Sequence, residues 1–387
     1  MLETVRGHSG RQLTVHTLGI VVSLSGLLVV APLLPSIVEE FGITDAAAGA
    51  SISVMWACNA LAQYPGGRYA EQLSSNVVLL ASQGVMTAGF VLLFSSGTFP
   101  VFVAGLGLIG FGYGLFEPAG MVLIQDRFDE RRGRAFGLRD AAVNLGSALS
   151  ALLAITVVGT TAWRRVFLPV VASLALVTVG HHRSARESYP VGRVSLDVPS
   201  VLGRLFRSRD TYALLVALSV FNFVWQGSAS FVPTFLRVEK SFTSVEATVA
   251  FAGLFAVGIV VTPVAGALCE RWTPIRLGLG ATGASIVGLV VLVEATGAVA
   301  VVAGLVVFAV GLTAIWPVMY VYLVDVLDAD TVGSDLGALR AVYFAVGSLG
   351  PLYVGTVATY FGYAQSFASL VAYFALAAVT LGWLGRR

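Results

Sequence analysis

Apolar runs of about 20 residues recur along the whole chain, separated by short polar or Gly/Pro-containing stretches. A bilayer core needs roughly 20 apolar residues per crossing helix. On that ruler the pattern predicts twelve spans, near 14–37, 46–65, 76–95, 99–124, 135–159, 163–180, 211–236, 247–268, 276–294, 298–324, 336–360 and 364–384. No enclosed stretch alternates with a period of two, so these spans read as helices, the structure that satisfies its own backbone in lipid. Composition agrees: of 387 residues, 57% are hydrophobic and 11% charged, against about 25% charged in soluble domains. The expected fold is an all-α membrane protein.

Basic residues orient it. With both termini in the cytoplasm, 19 of the 23 Lys and Arg fall on cytoplasmic segments, and the outer segments keep Arg164, Arg165, Arg237 and Lys240. That is the positive-inside bias, and it predicts a multi-pass protein of the cell (inner or plasma) membrane. The first apolar run is long enough to remain as a spanning helix rather than a cleaved signal. The longest polar stretch, 181–210, divides six spans from six. The expected domains are therefore 1–180, a linker at 181–210, and 211–387. Cys58 and Cys269 form no CxxC, metal or disulfide pattern. His181 and His182 read as a solvated loop pair, and no histidine is expected deep in a span.

The two halves overlay. Pro35 matches Pro233 at an offset of 198; Gly67, Glu71 and Pro118 match Gly266, Glu270 and Pro317 at 199; Arg139 and Gly146 match Arg340 and Gly347 at 201. A nearly constant offset across many helix positions marks a duplicated six-helix unit.

The stretch from Glu117 to Ser150 is the end of one span, a charged turn and the start of the next. Its Asp126, then Arg131-Arg132-Gly133-Arg134-Ala135, resembles the loop between helices 4 and 5 of the major facilitator superfamily (MFS) of secondary transporters. Gly67-Arg68-Tyr69-Ala70-Glu71 and, more closely, Gly266-Ala267-Leu268-Cys269-Glu270-Arg271 resemble the family's G-x-L-x-D-R loop motif. Trp163-Arg164-Arg165-Val166-Phe167 resembles its opening of helix 6. The chain departs from the family at Leu106, where an Arg is frequent, and at Gly146-Ser147, where drug antiporters carry Gly-x-x-x-Gly-Pro; Gly350-Pro351 in the second half keeps a Gly-Pro. The resemblance implies two pseudo-symmetric six-helix bundles related by an axis along the membrane normal, with a solute site near the midplane.

Chemistry-bearing residues inside the spans are few. Glu117 is the most informative, because an acid at mid-helix costs about 2.5–3.5 kcal/mol on insertion scales and needs a cavity or partner. Polar and aromatic residues recur four apart, which puts each pair on one helix face: Tyr113 with Glu117, Asn222 with Gln226 beside Trp225, Trp316 with Tyr320, and Asn59 with Gln63. These nine are the expected substrate pathway; interhelical hydrogen bonding is the plainer account of any one of them. Gly110 and Gly114 form a small-xxx-small pair for close helix packing, and with no preceding strand their GxGxG run is not a nucleotide motif.

The family fold implies a cytoplasmic gate of Glu71 with Arg340 and Glu270 with Arg139, with Asp126 joining Arg68 or Arg127. The leading functional reading is a permease for a small solute working by alternating access, with protons as the candidate coupling ion. The alternatives are an exporter of apolar or amphipathic compounds and a non-transporting membrane sensor. HExxH and GxSxG are absent from the sequence, so an enzyme is not expected, nor are a cofactor, metal or nucleic-acid partner; the bilayer is the partner, and the chain is expected to act as a monomer.

Overall fold

A computed structural model describes residues 7–128, 132–157, 162–185, 189–190, 192–207, 209–269, 271–326 and 332–385. Among these the regular structure is helical: α1 (Gly7–Leu28), α2 (Val30–Phe41), α3 (Asp45–Gln72), α4 (Ser75–Ser95), α5 (Phe99–Arg127), α6 (Arg132–Ile155), a 3-10 turn (Trp163–Val166) leading into α7 (Phe167–Ser184), α8 (Val198–Leu205), α9 (Arg209–Glu239), α10 (Ser244–Leu268), α11 (Pro274–Glu294), α12 (Ala298–Val326), α13 (Val332–Gly347), α14 (Leu349–Phe361) and α15 (Tyr363–Leu384). Eleven spans are long and apolar enough to cross a membrane. The twelfth, α3, is long enough but carries Asn59, Gln63, Arg68, Glu71 and paired glycines, which lower its hydropathy. The expected all-α, twelve-span architecture is therefore present.

Two spans are broken in the same way. α1 and α2 are separated at Val29, and α13 and α14 at Ser348. Each break lies three residues before a proline, Pro32 and Pro351. A proline has no N–H for the carbonyl four residues back and its ring crowds that turn, so the helix opens there.

The chain forms two compact units, Met1–Val30 with Val54–Asp197, and Ala31–Ser53 with Val198–Arg387. In the first, α4 packs on α5, and α1 on α6 and α7. In the second, α11 packs on α12, and α9 on α13, α14 and α15. The second unit also contains α2 and the start of α3, where Ala46 N–H donates to Thr359 Oγ1 (2.9 Å) and Leu352 N–H to Ser53 Oγ (2.9 Å).

Each unit is held where glycines let backbones meet. A side chain on Gly89 would strike Ile109 and Gly105, and one on Gly112 would strike Met86 and the Ser82 carbonyl. At an offset of 199, Gly288 abuts Phe308, and Gly311 abuts Ser285 and the Ala281 carbonyl. Glycine and partner are displaced together, so the duplication read from isolated residues extends to the packing itself. The expected role of Gly110 and Gly114 is realised as well, since both lie against α3, at the carbonyls of Met55 and Asn59.

Part of the linker is strapped to the first unit. Gln72 donates to the Ser195 carbonyl (2.9 Å) and accepts from its N–H (3.1 Å), and Tyr64 Oη donates to the Leu196 carbonyl. α8 then packs against α13 within the second unit, burying Val201 and Leu205. At the far end of α9, Lys240 Nζ donates to the carbonyls of Val293 (2.5 Å) and Ala295 (2.8 Å), which close α11. Desolvation lowers the Lys240 pKa, partly offset by the carboxylates of Glu239 and Glu294.

The glycine contacts generate a paired test. Gly112→Val and Gly311→Val overpack the interior and should each cost about 1–3 kcal/mol. Gly84→Val and Gly283→Val, also 199 apart, meet nothing within 4 Å. Thermal unfolding in detergent should show lower midpoints for the first pair and near-parental midpoints for the second. Equal midpoints in both pairs would refute the packing assignment.

Candidate functional site

Glu117 lies two-thirds of the way along α5, immediately before Pro118. Its Oε1 accepts from Arg139 Nη2 of α6 at 2.6 Å, and the side chains are 14% and 11% exposed. Arg139 Nη1 also donates to Asp140 Oδ1 at 2.7 Å, on an exposed side chain. The other Glu117 oxygen lies 3.5 Å from Gln63 Nε2, a long contact, and Gln63 Nε2 lies 3.2 Å from Asn59 Oδ1. Asn59, Gln63, Glu117 and Arg139 thus form one polar chain across α3, α5 and α6. Tyr113, one turn before Glu117, is buried with its ring against Phe116. The acid at mid-span has the partner that its insertion cost requires.

Two histidines lie in the same unit, and both correct the sequence expectation. His181, read as solvated, is 2% exposed, and His16 is 1% exposed. His182 behaves as expected: it is exposed and its Nδ1 lies 2.7 Å from Tyr189 Oη. α7 continues past the apolar run as far as Ser184, which turns His181 inward while its neighbour faces water. His16 and His181 stand with ring centroids 6.3 Å apart. Gln83 of α4 reaches His181 Nδ1 at 2.7 Å. The available signal was helical spacing: His16 follows Gln12 by four, and His181 follows the buried Leu174 and Val177 on one face.

In the second unit the expected pathway residues have other neighbours. Asn222 is buried, and its Nδ2 donates to the Tyr343 carbonyl (3.1 Å) and lies against Gly347. Gln226 is buried, with Oε1 lacking a hydrogen-bond partner among the described residues. Trp225 and Trp316 meet edge to face at 6.5 Å, flanked by Phe255 and Tyr343. The Tyr320 side chain lies outside the described residues.

The gate residues are placed as follows. Glu71 pairs with Arg68 one turn away at 3.0 Å, an exposed contact worth about 0–1 kcal/mol. Arg340 is buried in the second unit, with its guanidinium 5.7 Å from the Phe344 ring centroid. Arg139 engages Glu117 and Asp140, while its expected partner Glu270 lies outside the described residues. Asp126 is exposed at the end of α5.

A duplicated bundle of helices long and apolar enough to cross a bilayer defines a polytopic membrane protein. The chain belongs to the major facilitator superfamily, whose family model matches residues 17–351. It is 23% identical over 273 residues, 69% of this chain and 68% of the relative, to the "Probable nitrate transporter NarT" of Staphylococcus carnosus. It is 29% identical over 223 residues to the "Uncharacterized MFS-type transporter MT1926" of Mycobacterium tuberculosis (strain CDC 1551 / Oshkosh), covering 57% of this chain and 32% of that longer protein. Its fold is similar to an inward-facing, unoccupied bacterial homologue of the human lysosomal transporter Spinster (TM-score 0.82, 17% identity, 98% of both chains). It is also similar to a D-xylose-proton symporter (TM-score 0.78, 16% identity, 97% of both).

The ion pair predicts coupled stability effects. Glu117→Ala or Arg139→Ala alone leaves a charge in a nearly closed apolar setting and should cost about 3 kcal/mol. The double variant should cost less than the two singles together, a coupling on the order of 1–3 kcal/mol. Unfolding measurements on all four proteins in detergent check this, and additive losses would exclude the coupling.

Proposed function

We propose that the chain moves a small solute across the cell membrane by alternating access, with the Glu117–Arg139 pair as its proton-responsive core. The pair is the observation that carries the reading. A charged acid and base lie 2.6 Å apart inside an apolar bundle, where electrostatic interactions are strong. A proton on Glu117 removes the carboxylate charge from Arg139 Nη2, while Nη1 stays on Asp140. The guanidinium, less fully compensated, then attracts planar or carboxylate-like anions, its preferred partners. Proton and anion then enter together, because each relieves the cost created by the other. The positive-inside bias supports cytoplasmic termini. The printed name of the staphylococcal relative makes nitrate the first labelled solute to try, ahead of small organic anions and neutral sugars.

The experiment is counterflow of that panel in proteoliposomes, with and without an imposed pH gradient. The parent chain should exchange a small anion, and an inward-acid gradient should raise its accumulation. Glu117→Gln should keep exchange within a fewfold and lose the response to the gradient. An unchanged gradient response in Glu117→Gln, or preferential exchange of apolar compounds by the parent, would replace this reading with the exporter one.

A further inference from the structure

We infer that His16 and His181, bridged by internal water and steadied by Gln83, form a proton-binding site that exchanges its proton with Glu117. The inference deepens the proposed function, since it rests on Glu117 as the proton-responsive group.

The site is enclosed by four helices. His16 comes from α1, Gln83 from α4, Phe116 and Gly120 from α5, and His181 from α7. The His16 ring lies 5.0 Å from Phe116 and 6.3 Å from His181, centroid to centroid. It lies flat enough on α5 that a side chain at Gly120 would come within 2.0 Å of its Cε1 and 2.2 Å of its Nε2. Glycine at 120 is thus what admits the imidazole. Glu117 lies three residues earlier on α5, on the same face.

Polar atoms in this cluster are left over. His16 Nδ1, His181 Nε2 and Gln83 Oε1 are buried with no hydrogen-bond partner among the described residues. Turning the Gln83 amide over changes which of its atoms meets His181 Nδ1, but the two ring nitrogens remain unpartnered. Leaving buried polar atoms unsatisfied costs about 1–3 kcal/mol each. Ordered water bridging two to four such groups is the usual remedy, and two imidazoles facing across one water can hold one proton between them. Gln12, one turn before His16, donates to the Ser184 carbonyl (3.4 Å), one turn after His181. Its Oε1 is likewise buried and unpartnered. The leftover polar atoms therefore lie on α1, α4 and α7.

The charged groups facing the site set the direction of exchange. Arg139 comes from α6 and pairs with Glu117 of α5, and α4 contributes the uncharged Gln83. While Glu117 is ionised it neutralises Arg139, and the imidazole pair can carry its proton. When the imidazolium gives that proton through water to the carboxylate, the imidazole becomes neutral and Arg139 loses the Glu117 charge while keeping Asp140. The less compensated guanidinium then opposes reprotonation of the pair, so one proton occupies one of two places.

The chain has four histidines, so the test reads them directly. In the full chain carrying His8→Gln and His182→Gln, in lipid nanodiscs, nitrogen-15 imidazole spectra are recorded from pH about 8 down to about 5, the range where imidazole ordinarily titrates. The expected result is uptake of one proton shared by both rings, whose signals move together. Uptake should weaken in Glu117→Gln and return in Glu117→Gln with Arg139→Gln. His16→Gln, with a parental unfolding midpoint, should change the His181 profile. Rings that titrate independently, or that stay neutral throughout even with Arg139→Gln, would overturn the site. No solute enters this measurement, so its failure is distinguishable from failure of the transport reading.

Discussion

Close approach of backbones at glycines is the constraint on which both units depend. Lipid tails are as apolar as leucine, so burying leucine against leucine gives little drive to associate helices inside a bilayer. What remains is dispersion between closely packed surfaces and the occasional interhelical hydrogen bond. Gly89, Gly105 and Gly112 bring α4 and α5 together, and Gly288, Gly304 and Gly311 do the same for α11 and α12. At each of these positions a Cβ would come within 3.0 Å of the facing helix. The polar site inherits its precision from this packing, because Gly66 lets α3 approach α5 at Leu115 and Pro118, beside Glu117.

On this duplicated frame the two units set different groups at matching positions. Arg139 and Arg340 occupy matching positions 201 apart, yet Glu117 is matched 199 positions on by Trp316. Where the first unit pairs its arginine with a carboxylate, the second sets its arginine beside the Phe344 ring and offers Trp316 to Trp225 and Tyr343. A guanidinium over an aromatic face gains about 0.5–2 kcal/mol, and no proton can cancel that contact.

The fold was legible because membrane burial writes itself into sequence as run length. Apolar stretches near 20 residues, together with offsets shared by Pro118, Gly67 and Arg139, were enough to expect twelve helices in two repeats. The helix breaks were less visible: Pro32 and Pro351 mark them, but a proline inside a span is also compatible with a kinked, continuous helix. Within the site, Glu117 was legible from its cost alone. Its partner was not, since Arg139 lies 22 residues away across a turn, and the family resemblance directed attention to Glu270. The histidines were missed for a different reason. A dipeptide at the end of an apolar run looks solvated until the helix is known to continue, and only then do 181 and 182, about 100° apart around the helix, separate into a buried and an exposed position.

The repeat also separates what holds the bundle from what the bundle holds. Every polar group placed at membrane depth must be offset by a partner, and an unpaired one costs several kcal/mol. If the buried polar groups of the first unit were structural, the second unit would need substitutes at the same places. At the offset of 199 that relates α4 to α11, the second unit has the buried Thr282 for Gln83. Thr282, in place of Gln83, bonds to the Gly278 carbonyl of its own helix rather than across to a neighbour. Glu117, Arg139 and two buried imidazoles lie in the first unit in addition to its packing.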